Sequence, residues 1–199
     1  MKKISYFAVL FLSLGFMAQI SYADEGETKR LEAIEFLSGF GRGRVHIHDP
    51  GPREHLDQIP FLVAFDFNLK PLTQKFNFNP RPLLQFQVEP FFSVITQPEQ
   101  NIETGVSFLL KAGLLPQAWK FQPYIKVGAG LDYMTLHARE QATQFNFIDT
   151  AAAGFHYFFR KNTALTLDYR FRHLSNSGIE KPNRGMESHF ILGGVTFSF

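Results

Sequence analysis

Beyond its N-terminus the chain alternates apolar and polar residues with a period of two, in about eight runs separated by turn residues. In residues 58–70, Ile59, Phe61, Val63, Phe65, Phe67 and Leu69 share one face, opposite Leu62, Ala64, Asp66, Asn68 and Lys70. Residues 82–96 set Leu84, Phe86, Val88, Phe92 and Val94 against Gln85, Gln87, Glu89 and Ser93. Similar runs span 120–136, 144–159, 163–175 and 187–199, with weaker ones at 33–46 and 102–112, the first loosened by Gly39, Gly41 and Gly43. Strict alternation of this kind marks strands with two unlike faces.

The apolar faces are too rich for an ordinary soluble sheet: the chain holds 24 phenylalanines in 199 residues, and it ends on the alternating aromatics of "VTFSF". An exposed edge of that kind invites pairing with other chains. A soluble barrel of the lipocalin kind would turn the apolar face inward, but the opposite faces here mix Glu, Lys, Asp, Arg and Gln with glycine, which suits the filled interior of a small membrane barrel. The expected fold is therefore all-β: an eight-stranded antiparallel transmembrane β-barrel, closed so that lipid meets no unpaired backbone group.

Export is expected from the first residues. Lys2 and Lys3 precede an apolar run from about Ile4 to Met17, and "SYA" at 21–23 offers small residues for cleavage. The run falls short of the ~20 residues a spanning helix needs, so 1–23 reads as a signal peptide and 24–199 as one barrel domain. Removing 1–23 takes away two lysines, which leaves 18 basic residues against 18 acidic ones. Without net positive charge, nothing favours a nucleic acid partner. The absence of cysteine excludes disulfides and thiol chemistry.

With the N-terminus on the periplasmic side, the connections 47–57, 97–101, 137–143 and 176–186 face outward, and 71–81, 113–119 and 160–162 face the periplasm. At the outward end of the seventh run stands "FRHLSNSG" (171–178). His173 and Ser175 continue the parity of Leu165, Leu167, Tyr169 and Phe171, so both point out of the barrel. Glu187 shares parity with Ile191, Val195, Phe197 and Phe199 on the last run. A hairpin symmetric about residue 180 makes His173 and Glu187 direct cross-strand neighbours, ~5 Å apart at Cβ. A hydroxyl, an imidazole to take its proton and a carboxylate to orient the imidazole are the parts of a nucleophilic hydrolase. Placed at the outward end of the lipid-facing wall, they predict hydrolysis of an acyl ester lying beside the barrel, with the lipid A of lipopolysaccharide in a Gram-negative outer leaflet as the expected target. A bland reading competes: the same residues mark only where the strand leaves lipid.

The segment "YRFRHLSNSGIEKPNRGMESHF" closely resembles the active-site segment of the PagL-type lipid A 3-O-deacylase family, with His-x-Ser-Asn, a glycine, and an acid fourteen residues after the histidine. The barrel rhythm, the signal peptide and the "FHYFF" run are also similar to that family. The resemblance implies Ser175 as nucleophile, His173 as general base and Glu187 as the orienting carboxylate. It further implies Asn176 and the backbone N–H of Gly178 as oxyanion donors, Asn183 and Gly185 as structural loop residues, hydrolysis of the 3-O-linked hydroxyacyl chain, and lipopolysaccharide and outer-membrane lipid as partners. That chemistry requires no metal or organic cofactor, and the resemblance admits a homodimer. The first half departs from the family, notably in "GRGRVHIHDPGPREH".

Other candidates read more plainly. His46 and His48 have metal-ligand spacing, with a loop role as the commoner alternative. His137, Arg139 and Glu140 read as a solvated loop face, and Arg42, Arg44 and Arg53 as exposed cations able to meet lipid A phosphates. Asp66, Glu89, Lys126, Asp168, Arg170 and Arg172 are expected to pair inside the barrel. The alternative function is a non-enzymatic barrel of the OmpA or OmpX kind; a transferase acting on lipid A is the third.

Overall fold

Hydrogen bonding runs unbroken around eight strands in the computed structural model, which describes residues 30–47 and 51–199. The expected signal peptide and His48 lie outside the described residues. The strands are β1 (Leu31–Val45), β2 (Glu54–Asn68), β3 (Pro82–Gln97), β4 (Asn101–Pro116), β5 (Phe121–Met134), β6 (Phe145–Arg160), β7 (Thr163–Ser175) and β8 (Met186–Ser198). Each pairs antiparallel with the next, and β1 pairs with β8 to close the barrel. Closure leaves no edge, so every strand can face lipid without stranding backbone donors and acceptors.

Period-two alternation becomes two unlike surfaces. The outer wall exposes Phe61, Ile125, Val127, Leu165, Tyr169 and Ile191, among others. The inside is filled with charge. The Lys111 ammonium lies between the carboxylates of Glu35 and Asp66. Lys126 pairs with Asp168 at 2.9 Å, Arg170 grips Glu89 through both terminal nitrogens at 2.5 and 3.1 Å, and Arg172 does the same to Glu103 at 3.1 and 2.8 Å. Charges removed from water in this way are tolerable only when paired and hydrogen-bonded, which is why the polar faces carry both signs in register. The expected interior set pairs as anticipated, with Lys111, Glu35 and Glu103 added to it. This packed centre leaves the outer wall and the rims as places for chemistry.

Some bounds differ from expectation: β4 runs on to Pro116, past the expected end at 112. β2 begins at Glu54 rather than near residue 58, because ladder pairing continues through Arg42↔Asp57 and Arg44↔His55 after the apolar alternation has stopped. The 71–81 connection is folded. A one-turn helix α1 (Lys70–Thr73) carries Pro71 in its first turn, where a missing N–H costs nothing, and leads into a 3₁₀ turn (Gln74–Phe76) that Asn77 ends at φ 58°. Residues 46–47 and 51–53 and the connections 98–100, 135–144 and 176–185 lie at the opposite rim, called here the upper rim.

Candidate active site

β7 and β8 form a hairpin whose register pairs Tyr169 with Ile191, Phe171 with His189 and His173 with Glu187. The expected symmetry about residue 180 is therefore the observed one. On both strands the odd-numbered residues face outward while Arg170, Arg172, Leu174, Met186 and Ser188 are buried. His173 and Ser175 are half-buried and Glu187 is exposed, all three on the outer wall at the upper rim. Below them the wall is aromatic: Tyr169 Oη meets His189 Nδ1 at 2.8 Å, and the Phe171 and His189 ring centroids lie 5.3 Å apart with the planes tilted by 54°.

A second carboxylate flanks the imidazole. β6 pairs with β7 so that Asp149 lies directly opposite His173, and Phe147 opposite Ser175. His173 thus stands between Glu187 on one neighbouring strand and Asp149 on the other, and Asp149 is exposed on the same wall. Sequence reading missed it. The signal was nonetheless present, since Asp149 interrupts the outward series Phe145, Phe147, Ala151, Ala153 with a charge where lipid would favour an apolar side chain.

The loop after Ser175 folds over the site. Ser177 and Gly178 turn the chain with φ of 52° and 79°, and Gly185 brings it back with φ 72°. Gly185 is buried against the imidazole, and a Cβ built there would lie 2.5 Å from His173 Cε1 and 3.1 Å from Nε2. Glycine is required at this position twice over, for its conformation and for its missing side chain. Asn176 is fully buried and organises the loop: its amide nitrogen donates to the Glu180 carbonyl at 2.8 Å and its amide oxygen accepts the Gly178 N–H at 2.9 Å. Both groups expected to serve as oxyanion donors therefore already make bonds inside the loop. Asn183 is tied in as well, its side-chain oxygen accepting the Asn176 N–H at 3.0 Å.

The rest of the upper rim holds this loop in place. Residues 140–142 pair with 182–184 through Ala142 N–H to Pro182 O and Arg184 N–H to Glu140 O, each 2.9 Å, around the bridge Gln141↔Asn183. Glu140 is buried, which corrects its reading as part of a solvated face. Its carboxylate accepts the His46 N–H at 3.0 Å, lies 2.8 Å from His46 Nδ1, and takes Arg53 at 3.4 Å. These contacts tie His46 to the β5–β6 connection, and among the described residues, which do not include His48, no group of three or more His, Cys, Asp or Glu side chains could hold a metal ion. Beside Glu187 the wall dips into a depression of about 450 Å³ lined by Arg42, Arg44, Arg53 and Arg184. Arg42 is already held there by both oxygens of Asp57 at 2.7 Å.

A family profile described as lipid A 3-O-deacylase (PagL) matches residues 62–196, which covers β3 to β7 and all but the last residues of β8. The crystal structure of the outer membrane enzyme PagL is similar in fold, with a TM-score of 0.57 at 14% identity over 84% of this chain and 99% of that one. The crystal structure of Neisserial surface protein A is similar too, with a TM-score of 0.54 at 13% identity, again over 84% and 99%. No curated protein matches the chain in sequence. Identities this low speak for the outer-membrane barrel alone; the family match carries the chemistry.

Proposed function

Since this chain belongs to the PagL family of lipid A 3-O-deacylases, which are ester hydrolases, we propose that it removes the 3-O-linked hydroxyacyl chain of lipid A with Ser175, His173 and Glu187. The observation that carries this reading is the register pairing His173 with Glu187 on the wall where Ser175 also faces outward. Ser175 Oγ attacks the ester carbonyl while His173 takes its proton, and Glu187 stabilises the imidazolium that results. The tetrahedral intermediate collapses by expelling the sugar 3-oxygen, which receives that proton from His173. Water then repeats the sequence on the acyl-serine, releasing a free hydroxy fatty acid and restoring the serine. The oxyanion falls to the Asn176 amide and the Gly178 N–H, both of which must exchange their bonds within the loop for bonds to substrate.

The surroundings support a lipid substrate. An acyl chain can lie along the aromatic wall formed by Phe147, Tyr169 and Phe171, and Arg44 and Arg184 supply cations at the height of phosphates on the sugar. The upper rim then faces the outer leaflet of a Gram-negative outer membrane, after cleavage of the signal peptide. Every residue in the proposed chemistry comes from one barrel, so no second copy is needed.

Mass spectrometry of lipid A from cells producing the wild-type chain or Ser175→Ala tests the reading. Loss of one hydroxyacyl mass with the wild type alone is expected. Equal loss with both would remove Ser175 from the mechanism, and loss with neither, from folded barrels, would favour the non-enzymatic alternative.

Two carboxylates compete for the orienting role, and substitution separates them. Glu187→Gln is expected to lower kcat by up to about 10⁴-fold, because an amide no longer fixes the tautomer or balances the imidazolium. Asp149→Asn is expected to stay within about threefold of wild type, as an exposed charge beside the site usually contributes little. The reverse ranking in purified, folded protein would transfer the role to Asp149.

A further inference from the structure

Beyond the three residues of the proposed chemistry, we propose that Gln141 is a positioning residue that clamps the backbone on both sides of Ser175. The inference rests on Ser175 as nucleophile.

Ser175 stands where the sheet gives out. On the β8 side, pairing ends at Leu174↔Met186; on the β6 side it ends at Phe147↔Ser175. The next residues turn away into the positive-φ segment at Ser177 and Gly178. A nucleophile at such a point inherits the looseness of a fraying strand end unless something replaces the missing partner.

Gln141 replaces it. Its side-chain oxygen accepts the Asn176 N–H at 3.1 Å, sharing it with Asn183 Oδ1 at 3.0 Å, and its side-chain nitrogen is the side-chain donor to the Leu174 carbonyl, at 3.4 Å. In an extended strand the C=O of one residue and the N–H of the residue two further on point to the same side. A primary amide, with one acceptor and one donor a peptide's width apart, can therefore stand in for a neighbouring strand at that step. The orientation is determined by chemistry: turning the amide over would set its NH₂ against the Asn176 N–H and its oxygen against the Leu174 oxygen.

The clamp is itself anchored. Gln141 is buried, its own N–H donates to the Ala138 carbonyl at 3.2 Å, and its backbone is bridged to Asn183 with flanking bonds of 2.9 Å on each side. Glu140, the residue before it, is fastened to His46 of the first rim loop. The β5–β6 connection thus reaches over to hold the nucleophile at the end of β7, and the reacting oxygen depends on a residue 34 positions away in sequence. This assigns the loop a catalytic purpose: loss of about 1 Å in the placement of a reacting group costs on the order of 100-fold in rate.

Three variants test the proposal with purified, folded enzyme acting on lipopolysaccharide, with folding read from the heat-dependent gel mobility of the barrel. Gln141→Met keeps the length and bulk but neither hydrogen bond, and is expected to lower kcat about ten- to hundredfold with KM within a few-fold of wild type. Gln141→Glu keeps the acceptor for Asn176 but sets a second oxygen against the Leu174 carbonyl. Only its protonated form can donate there, so its activity relative to wild type at the same pH is expected to climb as the pH is lowered from 8 to about 5. Wild-type kcat in Gln141→Met while Ser175→Ala is inactive would overturn the clamp alone. If Gln141→Met does not fold, a flat ratio across pH for Gln141→Glu overturns it. Full activity in Ser175→Ala would overturn the nucleophile assignment and the clamp with it.

Discussion

His173→Ala is expected to lower kcat on lipopolysaccharide by roughly 10⁴–10⁶-fold, and adding Ser175→Ala to it is expected to lower kcat hardly any further. A serine hydroxyl at neutral pH is a weak nucleophile, and its attack on an ester depends on the proton leaving as the bond forms. Remove the imidazole and the hydroxyl has no acceptor; remove the hydroxyl and the imidazole has nothing to activate. Two groups acting as one unit therefore give a strongly non-additive cycle, whereas independent groups would multiply their losses. Single-turnover rates for the two single variants and the double variant make the comparison. Barrel stability should be unchanged in all three, because His173 and Ser175 lie on the outer wall and take no part in the interior ion pairs. A fully multiplicative loss would show that the two residues do not work as a pair, whatever each contributes singly.

Gly185→Ala is expected to cost about 100-fold in kcat. Two effects combine. A side chain at φ 72° carries about 1–2 kcal/mol of backbone strain. The added methyl would also lie 2.5 Å from His173 Cε1, about an ångström inside ordinary contact, so the imidazole must move or the loop must lift. Either displacement spoils the line from Ser175 through His173 to the carboxylate. Gly178→Ala separates strain from collision: it has φ 79° but nothing within 4 Å of the new carbon, and it retains the N–H. A loss in Gly185→Ala that clearly exceeds the loss in Gly178→Ala is the signature of steric pressure on the imidazole. Equal losses would assign the effect to backbone strain and leave His173 unperturbed.

The barrel was legible because each strand has one face in lipid and one in a packed polar interior, so alternation repeats wherever a strand crosses the membrane. Legibility failed where that contrast ends. His55 and Asp57 belong to a strand that pairs with Arg44 and Arg42 beyond the apolar alternation, and a run of polar residues looks like a loop in sequence. The pairing of His173 with Glu187 could be anticipated because one short hairpin sets it. Gln141 could not, because its partners Leu174 and Asn176 meet it only after β5, β6 and β7 have closed into the wall. The burial of Glu140 was hidden for the same reason, since the group that buries and binds it comes from the first rim loop. Asn176 and Gly178 show a third limit: a motif names residues that approach a site, yet the bonds they make before substrate arrives belong to the folded loop.

Buried ion pairs occupy the barrel interior, while His173, Ser175 and Glu187 face outward on the wall. On the proposed mechanism, substrate reaches Ser175 by lateral diffusion within the leaflet and product leaves the same way. The concentration that governs turnover is then the surface fraction of lipid A among its neighbours, and the amount suspended per litre matters only through that fraction. Diluting the leaflet with inert lipid slows the enzyme while the bulk concentration stays the same, so the composition of the membrane is itself a regulator of rate.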